Sequence, residues 1–216
     1  MKYWLIDLPE LPRLQEAPRT IGEEIIHLSD VLNFMESQHS YTRDDAWNLK
    51  LTMSAGFIWE DVLSAALASQ MALRPSEIVC DGIYLSPDGI GIDKDITDPE
   101  TGDLLVQGTG EITVEEYKFT WRSSVRREGE FLVENLPTDN WRYMAQVKSY
   151  CYAVGTNIAI MRILYINGDY RTTRPIYRVC RIVFDDTEIK NNWNLIKSNA
   201  DKLKTQKDKQ KEETWQ

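Results

Sequence analysis

Helical and strand-like segments follow one another along this chain in an order that favours a mixed β-sheet flanked by helices. Residues 54–72 carry apolar side chains at helical spacing, whereas residues 111–120 alternate as a strand does. The other predicted helices are one within 22–35, one over 138–154 and a last helix from residue 185. The other predicted strands are 78–85, 90–92, 157–167 and 174–184. The sequence therefore predicts an α/β fold.

Several polar residues and one glycine mark where these helices should begin and end. Ser29 or Asp30 is expected to cap the first helix, because a side-chain oxygen there can accept hydrogen bonds from free backbone N–H groups. Gly155 is expected to end the third helix, since glycine readily adopts the left-handed conformation found at helix C-termini. Asp185 or Asp186 is the expected cap of the last helix.

The length of 216 residues fits one domain with a full hydrophobic core, and we expect a single domain over residues 1–216. Residues 1–20 should form an irregular arm, and the Lys-rich residues from about 200 to 216 should form a polar tail that frays. No apolar run approaches the roughly 18 residues that span a bilayer, and the N-terminus lacks the apolar stretch of a signal peptide. We therefore expect a cytoplasmic protein without a membrane partner.

The cysteines and histidines exclude several kinds of site. Cys80, Cys151 and Cys180 are too widely separated for a zinc site or a disulfide framework, so buried reduced thiols are expected. No iron–sulfur cluster is expected, because such a cluster usually takes four cysteine ligands. His27 and His39 are not at ligand or catalytic spacing, which argues against a Ser/His hydrolase or a His-driven nuclease.

The net charge of −9 is unevenly divided along the chain. Residues 1–117 hold 7 basic and 22 acidic residues, whereas residues 118–182 hold 11 basic and 5 acidic residues. The basic excess includes Lys118, Arg122, Arg126, Arg127, Arg142, Lys148, Arg171, Arg174, Arg178 and Arg181. Such a strip beside a cluster of carboxylates would suit a phosphate backbone. Scattered solvated surface charge is the alternative.

Three polar positions suit a site for a divalent cation. Asp88 lies in the turn Ser86-Pro87-Asp88-Gly89, and Glu116 and Lys118 lie two residues apart on a predicted strand. Because side chains alternate along a strand, Glu116 and Lys118 should point to the same face. Carboxylates and the backbone carbonyl of Tyr117 are hard oxygen ligands of the kind that Mg²⁺ takes. The alternatives are an ordinary turn aspartate and a surface pair between Glu116 and Lys118.

Three further residues could support such a site. Glu60 lies beside Phe57, Ile58 and Trp59 on a predicted helix, where a carboxylate is costly unless it is paired or bound to metal. Gln146 and Tyr150 are four residues apart on the next predicted helix and share a face. They could orient water or phosphate. An exposed glutamate and ordinary hydrogen bonding are the alternatives.

Taken together, these residues resemble the motifs of the PD-(D/E)XK nuclease superfamily, above all its RecB-type and lambda-exonuclease-type branches. The matching elements are Gly56-x-x-x-Glu60, Ser86-Pro87-Asp88-Gly89, Glu116-Tyr117-Lys118 and Gln146-x-x-x-Tyr150. The resemblance implies a restriction-endonuclease-like core, with Asp88 and Glu116 as metal ligands and Lys118 as the catalytic lysine. It also implies that Glu60 is an accessory acid near the metal and that Gln146 and Tyr150 support the site.

The resemblance further implies a Mg²⁺-dependent deoxyribonuclease in which Mn²⁺ can substitute, with double-stranded DNA as the substrate. A 5′-to-3′ exonuclease of phage recombination type is the leading hypothesis, and a phage origin would place it in the cytoplasm of a bacterial host. The resemblance to the exonuclease branch also implies that this chain forms a ring-like homo-oligomer, for example a trimer. It implies a single-strand annealing protein as a partner. The residues expected to contact DNA are Ser29, Arg122, Arg126, Arg127, Arg142 and Lys148.

Two alternatives to an exonuclease stay open. A structure-specific or restriction-type endonuclease would share the same site, and a binding or inhibitory protein would keep the fold without catalysis. Ser29 could equally cap a helix rather than bind a terminal phosphate.

The gap between Asp88 and Glu116 is longer than in the compact form of the motif, because of an insertion around residues 98–103. The sequence therefore leaves the register of these strands open.

Overall fold

The computed structural model describes residues 20–22, 24–38, 46–67, 74–98 and 100–214. Within these ranges, side chains are described everywhere except at residues 46–52 and 211–214. All but the last residue of the predicted N-terminal arm, as well as His39, lie outside the described residues. The helices are α1 Leu28–Ser37, α2 Ala46–Leu67, α3 Trp141–Val154 and α4 Asp186–Thr214. The strands are β1 Ile26–His27, β2 Ile78–Cys80, β3 Ile83–Leu85, β4 Gly89–Ile92, β5 Ile96–Thr97, β6 Leu104–Val106, β7 Ile112–Thr120, β8 Val125–Glu128, β9 Phe131–Glu134, β10 Ile158–Tyr165 and β11 Ile176–Val183.

The central sheet has the strand order β11-β10-β7-β4. β10 runs parallel to β7, with α3 in the connection between them, while β11 and β4 run antiparallel to their neighbours. A second sheet has the order β1-β3-β2, in which β1 is parallel to β3. The predicted α/β fold with a mixed sheet flanked by helices is confirmed.

β7 is covered on both faces, which explains why residues 113–117 are all buried instead of alternating. On one face, Val114 packs in the main core together with side chains of α1, α3, α4 and β10. The core residues that join these layers include Val31, Leu32, Val147, Met161, Ile163, Trp193 and Ile196. A second cluster joins Leu63 and Leu67 of α2 to Tyr117 of β7. Burial of this much apolar surface holds the central strand firmly in place.

Two of the expected helix boundaries are confirmed. Gly155 has φ 76°, and its N–H donates to the carbonyl of Cys151 at 2.9 Å, as expected at a helix C-terminus. The carboxylate of Asp185 accepts from the N–H of Thr187 at 2.7 Å and caps α4. α4 continues to Thr214, and fraying of its end stays a prediction.

The expected cap of α1 was wrong by two or three residues. His27 is the N-cap, and Asp30 lies in the first turn, where its carboxylate accepts from the backbone N–H of His27 at 3.1 Å. The segment just before the helix forms β1, which pairs with β3. Hydrogen bonding to a distant strand therefore decided where this helix begins.

The single strand predicted over residues 78–85 is also wrong, because Asp81 and Gly82 turn the chain between β2 and β3. Both residues have positive φ, 49° and 77°, as tight hairpin turns require. The Asp81 carboxylate accepts from the indole N–H of Trp193 at 2.9 Å and so ties this turn to α4. The hairpins β5–β6 and β8–β9 were not predicted.

The register that the sequence left open is set by β4 and β7, which pair Gly89 with Glu115. The β5–β6 hairpin takes up the extra residues between them. In the described part of the chain, none of the helices combines the length and apolar character needed to cross a bilayer.

Candidate active site

The middle of β7 brings Glu116 and Lys118 together on the face that α3 covers. The ammonium group of Lys118 donates to Glu116 Oε1 and, at 3.2 Å, to Gln146 Oε1 of α3. The side chain of Glu116 is only 2% exposed and that of Lys118 is 19% exposed. The lysine is thus oriented by an acid from its own strand and an amide from the helix above it.

Asp88 lies at the start of β4 and joins these residues from the side. Its Oδ2 accepts from the backbone N–H of Tyr117 at 2.7 Å. The N–H and C=O groups of one strand residue point to the same edge of the strand, so the Tyr117 carbonyl shares this edge with Asp88. β4 begins opposite Glu115, which leaves this stretch of the edge of β7 outside the β4 ladder. Asp88 and the edge of β7 that carries Tyr117 are therefore in contact, and Asp88 is close enough to Glu116 for their charges to interact.

Burial and mutual repulsion perturb both carboxyl groups. The pKa of Glu116 is raised to about 8, first by burial and then by the charge of Asp88, while Lys118 opposes the shift. Burial also raises the pKa of Asp88, against the opposing effects of Lys118 and the Tyr117 N–H. The buried Oε2 of Glu116 has no hydrogen-bond partner among the described residues. A buried acceptor in this state is costly, so this atom is positioned for a ligand.

Gln146 and Tyr150 connect α3 to the turn that carries Asp88. The amide N–H of Gln146 donates to the Tyr150 hydroxyl at 2.8 Å, and this hydroxyl donates to the carbonyl of Ser86 at 3.1 Å. The chain of contacts therefore runs from Ser86 through both side chains to Lys118. It fixes the turn, the helix and the strand relative to one another.

Glu60 lies near the site but is already paired. Arg74 donates to Glu60 Oε2 at 3.2 Å and to Asp61 Oδ1 at 3.4 Å. The charge of Glu60 still contributes to the raised pKa of Glu116, and that of Arg74 lowers the pKa of Asp88. Sequence reasoning missed Arg74 and Asp61. The available signal was that Arg74 is the one basic residue between Lys50 and Lys94.

These groups together suit a hard divalent cation. Four carboxylates (those of Glu60, Asp61, Asp88 and Glu116) face two basic side chains (Arg74 and Lys118), which leaves a formal charge of −2 when all are ionised. Within the described residues, no three acidic, histidine or cysteine side chains converge into a ready cation site. Asp88, Glu116 and the Tyr117 carbonyl are the candidate ligands, and a part for Glu60 in holding the ion stays a prediction.

Most of the basic side chains expected to contact DNA form ion pairs within the protein. Arg126 binds the carboxylates of Glu128 and Asp139, Arg142 binds Glu36 at 3.0 Å, and Lys148 binds Glu188 at 3.1 Å. Arg178 and Arg181 pair likewise with Glu134 and Asp93. The basic strip is therefore largely neutralised in the fold.

Three of the expected DNA contacts remain open to solvent. Arg122 and Arg127 are exposed, and the described part of the chain offers neither of them an ion pair. Ser29 is exposed in the first turn of α1. A contact of these residues with DNA stays a prediction.

A groove of about 610 Å³ opens elsewhere, between the start of β7, the end of α3 and the start of α4. Ile112, Gly155 and Asp186 lie on its three sides. None of the residues discussed above as catalytic or metal-binding lines it. The carboxyl groups with raised pKa values therefore lie in the middle of β7, away from this groove.

Comparison with known proteins finds no match to a protein-family model and none to a curated protein. The chain is similar to the alkaline exonuclease LHK-Exo from Laribacter hongkongensis, with 13% identity and a TM-score of 0.48 over 88% of this chain and 93% of that one. The same enzyme in complex with dAMP gives 13% identity and a TM-score of 0.46 over the same shares. The protein SSO0001 gives 15% identity and a TM-score of 0.44 over 82% of this chain and 77% of that one.

Proposed function

We propose that this protein is a metal-dependent deoxyribonuclease that uses Mg²⁺, with Mn²⁺ as a substitute, to hydrolyse phosphodiester bonds in DNA. The observation that carries the proposal is the buried Glu116 Oε2, which has no hydrogen-bond partner in the described part of the chain and lies near Asp88 and Lys118. Asp88, Glu116 and the carbonyl of Tyr117 would hold the ion. When bound, such an ion supplies Lewis acidity, which lowers the pKa of water and neutralises charge on the phosphate.

The protein's own groups would position the reactants. Lys118 can donate a hydrogen bond to the attacking water or to a phosphate oxygen, since its ammonium group is held at the site by Glu116 and Gln146. Burial lowers and the two acids raise the pKa of Lys118, with a net rise, so this side chain acts as a charged donor and not as a base. Gln146 and Tyr150 keep the lysine and the Asp88 turn in register.

More specifically, we propose that the protein digests double-stranded DNA from an end in the 5′-to-3′ direction, as in phage-type recombination. A ring-like homo-oligomer, for example a trimer, would help a chain with net charge −9 to concentrate its positive surface around a polyanion. A single-strand annealing protein would take up the strand that such an enzyme leaves. A monomeric mass in solution would refute the oligomer without affecting the site.

The test compares linear with closed circular duplex DNA, in Mg²⁺ or EDTA. We expect loss of linear DNA alone, only with the metal, and no loss with Lys118→Ala. Lys202→Ala, which removes an exposed lysine of α4, is the matched control and should cut as the unmodified protein does. Loss of circular DNA would instead identify an endonuclease.

A separate measurement tests the metal site without relying on activity. Titration of Mn²⁺ followed by electron paramagnetic resonance should show binding that is lost in Glu116→Gln and in Asp88→Asn. Binding that is unchanged in both variants would contradict the assigned ligands, and absence of both binding and cleavage would contradict the proposed function.

A further inference from the structure

Two aromatic side chains are exposed just beyond the end of β7, the strand that carries the candidate active site. Trp121 follows β7 and is 46% exposed, and Tyr170, in the loop from β10 to β11, is 90% exposed. This loop lies directly on Trp121, because the N–H of Gly168 donates to the Trp121 carbonyl at 2.6 Å. The two aromatic side chains therefore belong to one surface.

A buried polar cluster holds this surface in place. The fully buried Ser123 donates from its N–H to Asp169 Oδ1 at 2.9 Å, and its hydroxyl group binds Asn167 and Asp169. The N–H of Arg171 donates to the same hydroxyl at 3.3 Å. A Cβ at Gly168 would lie 3.2 Å from the ring of Trp121 and 3.0 Å from its carbonyl oxygen, so glycine permits the close packing. The aromatic side chains are thus exposed on a fixed frame.

The backbone of Tyr170 adds a second observation. Its φ of 55° lies in the left-handed region, which bulky residues rarely adopt. An asparagine or glycine would fit this conformation at lower cost, and an exposed tyrosine gains little from burial in return. Strain of this kind at an exposed ring is what a binding residue would show.

Basic residues neighbour the two aromatic ones along the chain. Arg122, Arg171 and Arg174 are exposed, and within the described loop 167–174 the one acid is Asp169, which Arg171 contacts at 3.4 Å. We name this set the Trp121–Tyr170 surface; it comprises Trp121, Arg122, Tyr170, Arg171 and Arg174. It carries a local positive charge in a chain whose net charge is −9, which complements a polyanion.

We propose that the Trp121–Tyr170 surface binds single-stranded DNA, with bases stacked on the two aromatic rings and phosphates paired with the arginines. This inference rests on the proposed deoxyribonuclease function and specifies which form of DNA lies beside its site. The faces of bases inside a duplex are already stacked on one another, whereas unpaired bases can stack on protein rings. Trp121 follows Lys118 by three residues, or roughly 10 Å along an extended strand, so the surface begins just beyond the end of the strand that carries the candidate site.

The test measures binding of a fluorescein-labelled oligothymidylate by anisotropy, in EDTA and in the Lys118→Ala background, so that cleavage plays no part. Tyr170→Asn removes the ring and suits the left-handed backbone, and we expect it to weaken binding by about tenfold. Tyr170→Phe keeps the ring and should bind as the parent does. Leu105→Ala is the control, because Leu105 is 61% exposed on the β5–β6 hairpin, whose turn carries Asp98 and Asp103 and therefore repels phosphate.

Equal affinity of Tyr170→Asn, Trp121→Ala and the parent would overturn the proposal. Tighter binding of the matching duplex, with the same dependence on Tyr170, would overturn it as well. The two proposals fail separately. A protein that cuts DNA but whose oligonucleotide binding ignores Tyr170 loses only this surface, whereas Tyr170-dependent binding without any cleavage contradicts only the nuclease function.

Discussion

Replacement of Glu116 by glutamine should stabilise the metal-free protein at neutral pH. The folded protein holds the proton of this carboxyl group with a pKa of about 8, whereas the unfolded chain releases it near 4.5. A carboxyl group whose pKa is raised on folding destabilises the fold above its unfolded pKa, and the penalty grows until the pH passes the folded value. A pH of 7 lies 2.5 units above the unfolded pKa of 4.5, and the folded protein is then ionised at this group only to a small extent. At 1.36 kcal/mol per unit, the free energy of unfolding is lowered by about 3 kcal/mol.

Glutamine has nearly the same shape and carries no charge, so Glu116→Gln should unfold at a higher temperature by roughly 6–12 °C at pH 7. The measurement is thermal unfolding in EDTA between pH 4 and pH 8. The difference between the two proteins should be close to zero at pH 4 and should grow with pH. Glu130→Gln, at an exposed position of the hairpin turn, is the control and should leave the midpoint unchanged.

Addition of Mg²⁺ should reverse this order. The ion would stabilise the protein with Glu116 by binding to its ionised form, and it would have little effect on the glutamine variant. If Glu116→Gln is less stable than the parent in EDTA at pH 7, the carboxyl group is not destabilised by its surroundings. The reasoning about its unpartnered oxygen would then be refuted.

Three further predictions concern the frame around the site. Arg181→Met should cost about 3 kcal/mol at pH 7 in urea unfolding, because it leaves the fully buried Asp93 carboxylate without its bidentate partner. The pKa of Asp93 is lowered to about 2, chiefly by Arg181, so this stabilisation should be present above pH 3.8 and should disappear as the pH falls toward 2. Gly108→Ala should lower the free energy of unfolding by about 1–3 kcal/mol in the same assay, because its Cβ would lie 2.5 Å from the Asp93 carbonyl oxygen. Gly56→Ala in α2 is the control and should be neutral or stabilising, because the space around this Cβ is open. Tyr150→Phe should lower the melting temperature by an amount corresponding to about 1–3 kcal/mol, since Gln146 and Ser86 lose their shared partner, and it should slow cleavage while Tyr152→Phe does not.

Local signals in the sequence were sufficient for much of the fold. The end of α3 at Gly155 and the cap of α4 at Asp185 depend on neighbouring residues alone, and both were predicted correctly. The β2–β3 turn was missed because Asp81-Gly82 lies inside an otherwise continuous apolar run. The start of α1 was misplaced because β1 forms only by pairing with a strand more than fifty residues away.

The candidate site was predictable to the extent that its geometry follows from strand alternation. Two-residue spacing puts Glu116 and Lys118 on one face in any strand, but the approach of Asp88 depends on the register of β4 against β7. The pairing of Arg74 with Glu60 and Asp61 spans fourteen residues and leaves no periodic trace. The same is true of the ion pairs that neutralise Arg126, Arg142 and Lys148, so a count of basic residues overstated the free positive charge.

The hydrogen bond from the Tyr117 N–H to Asp88 gives the site its own spectroscopic reporter. An amide proton bound to a carboxylate shifts downfield, and its resonance responds when that carboxylate takes up a proton or binds a cation. Because Tyr117 lies in the central strand and is 3% exposed, this amide should also exchange slowly with solvent and stay visible under most conditions. Selective nitrogen-15 labelling of the tyrosines, followed at the resonance of Tyr117, would therefore report the state of Asp88 during a titration with acid, Mg²⁺ or DNA.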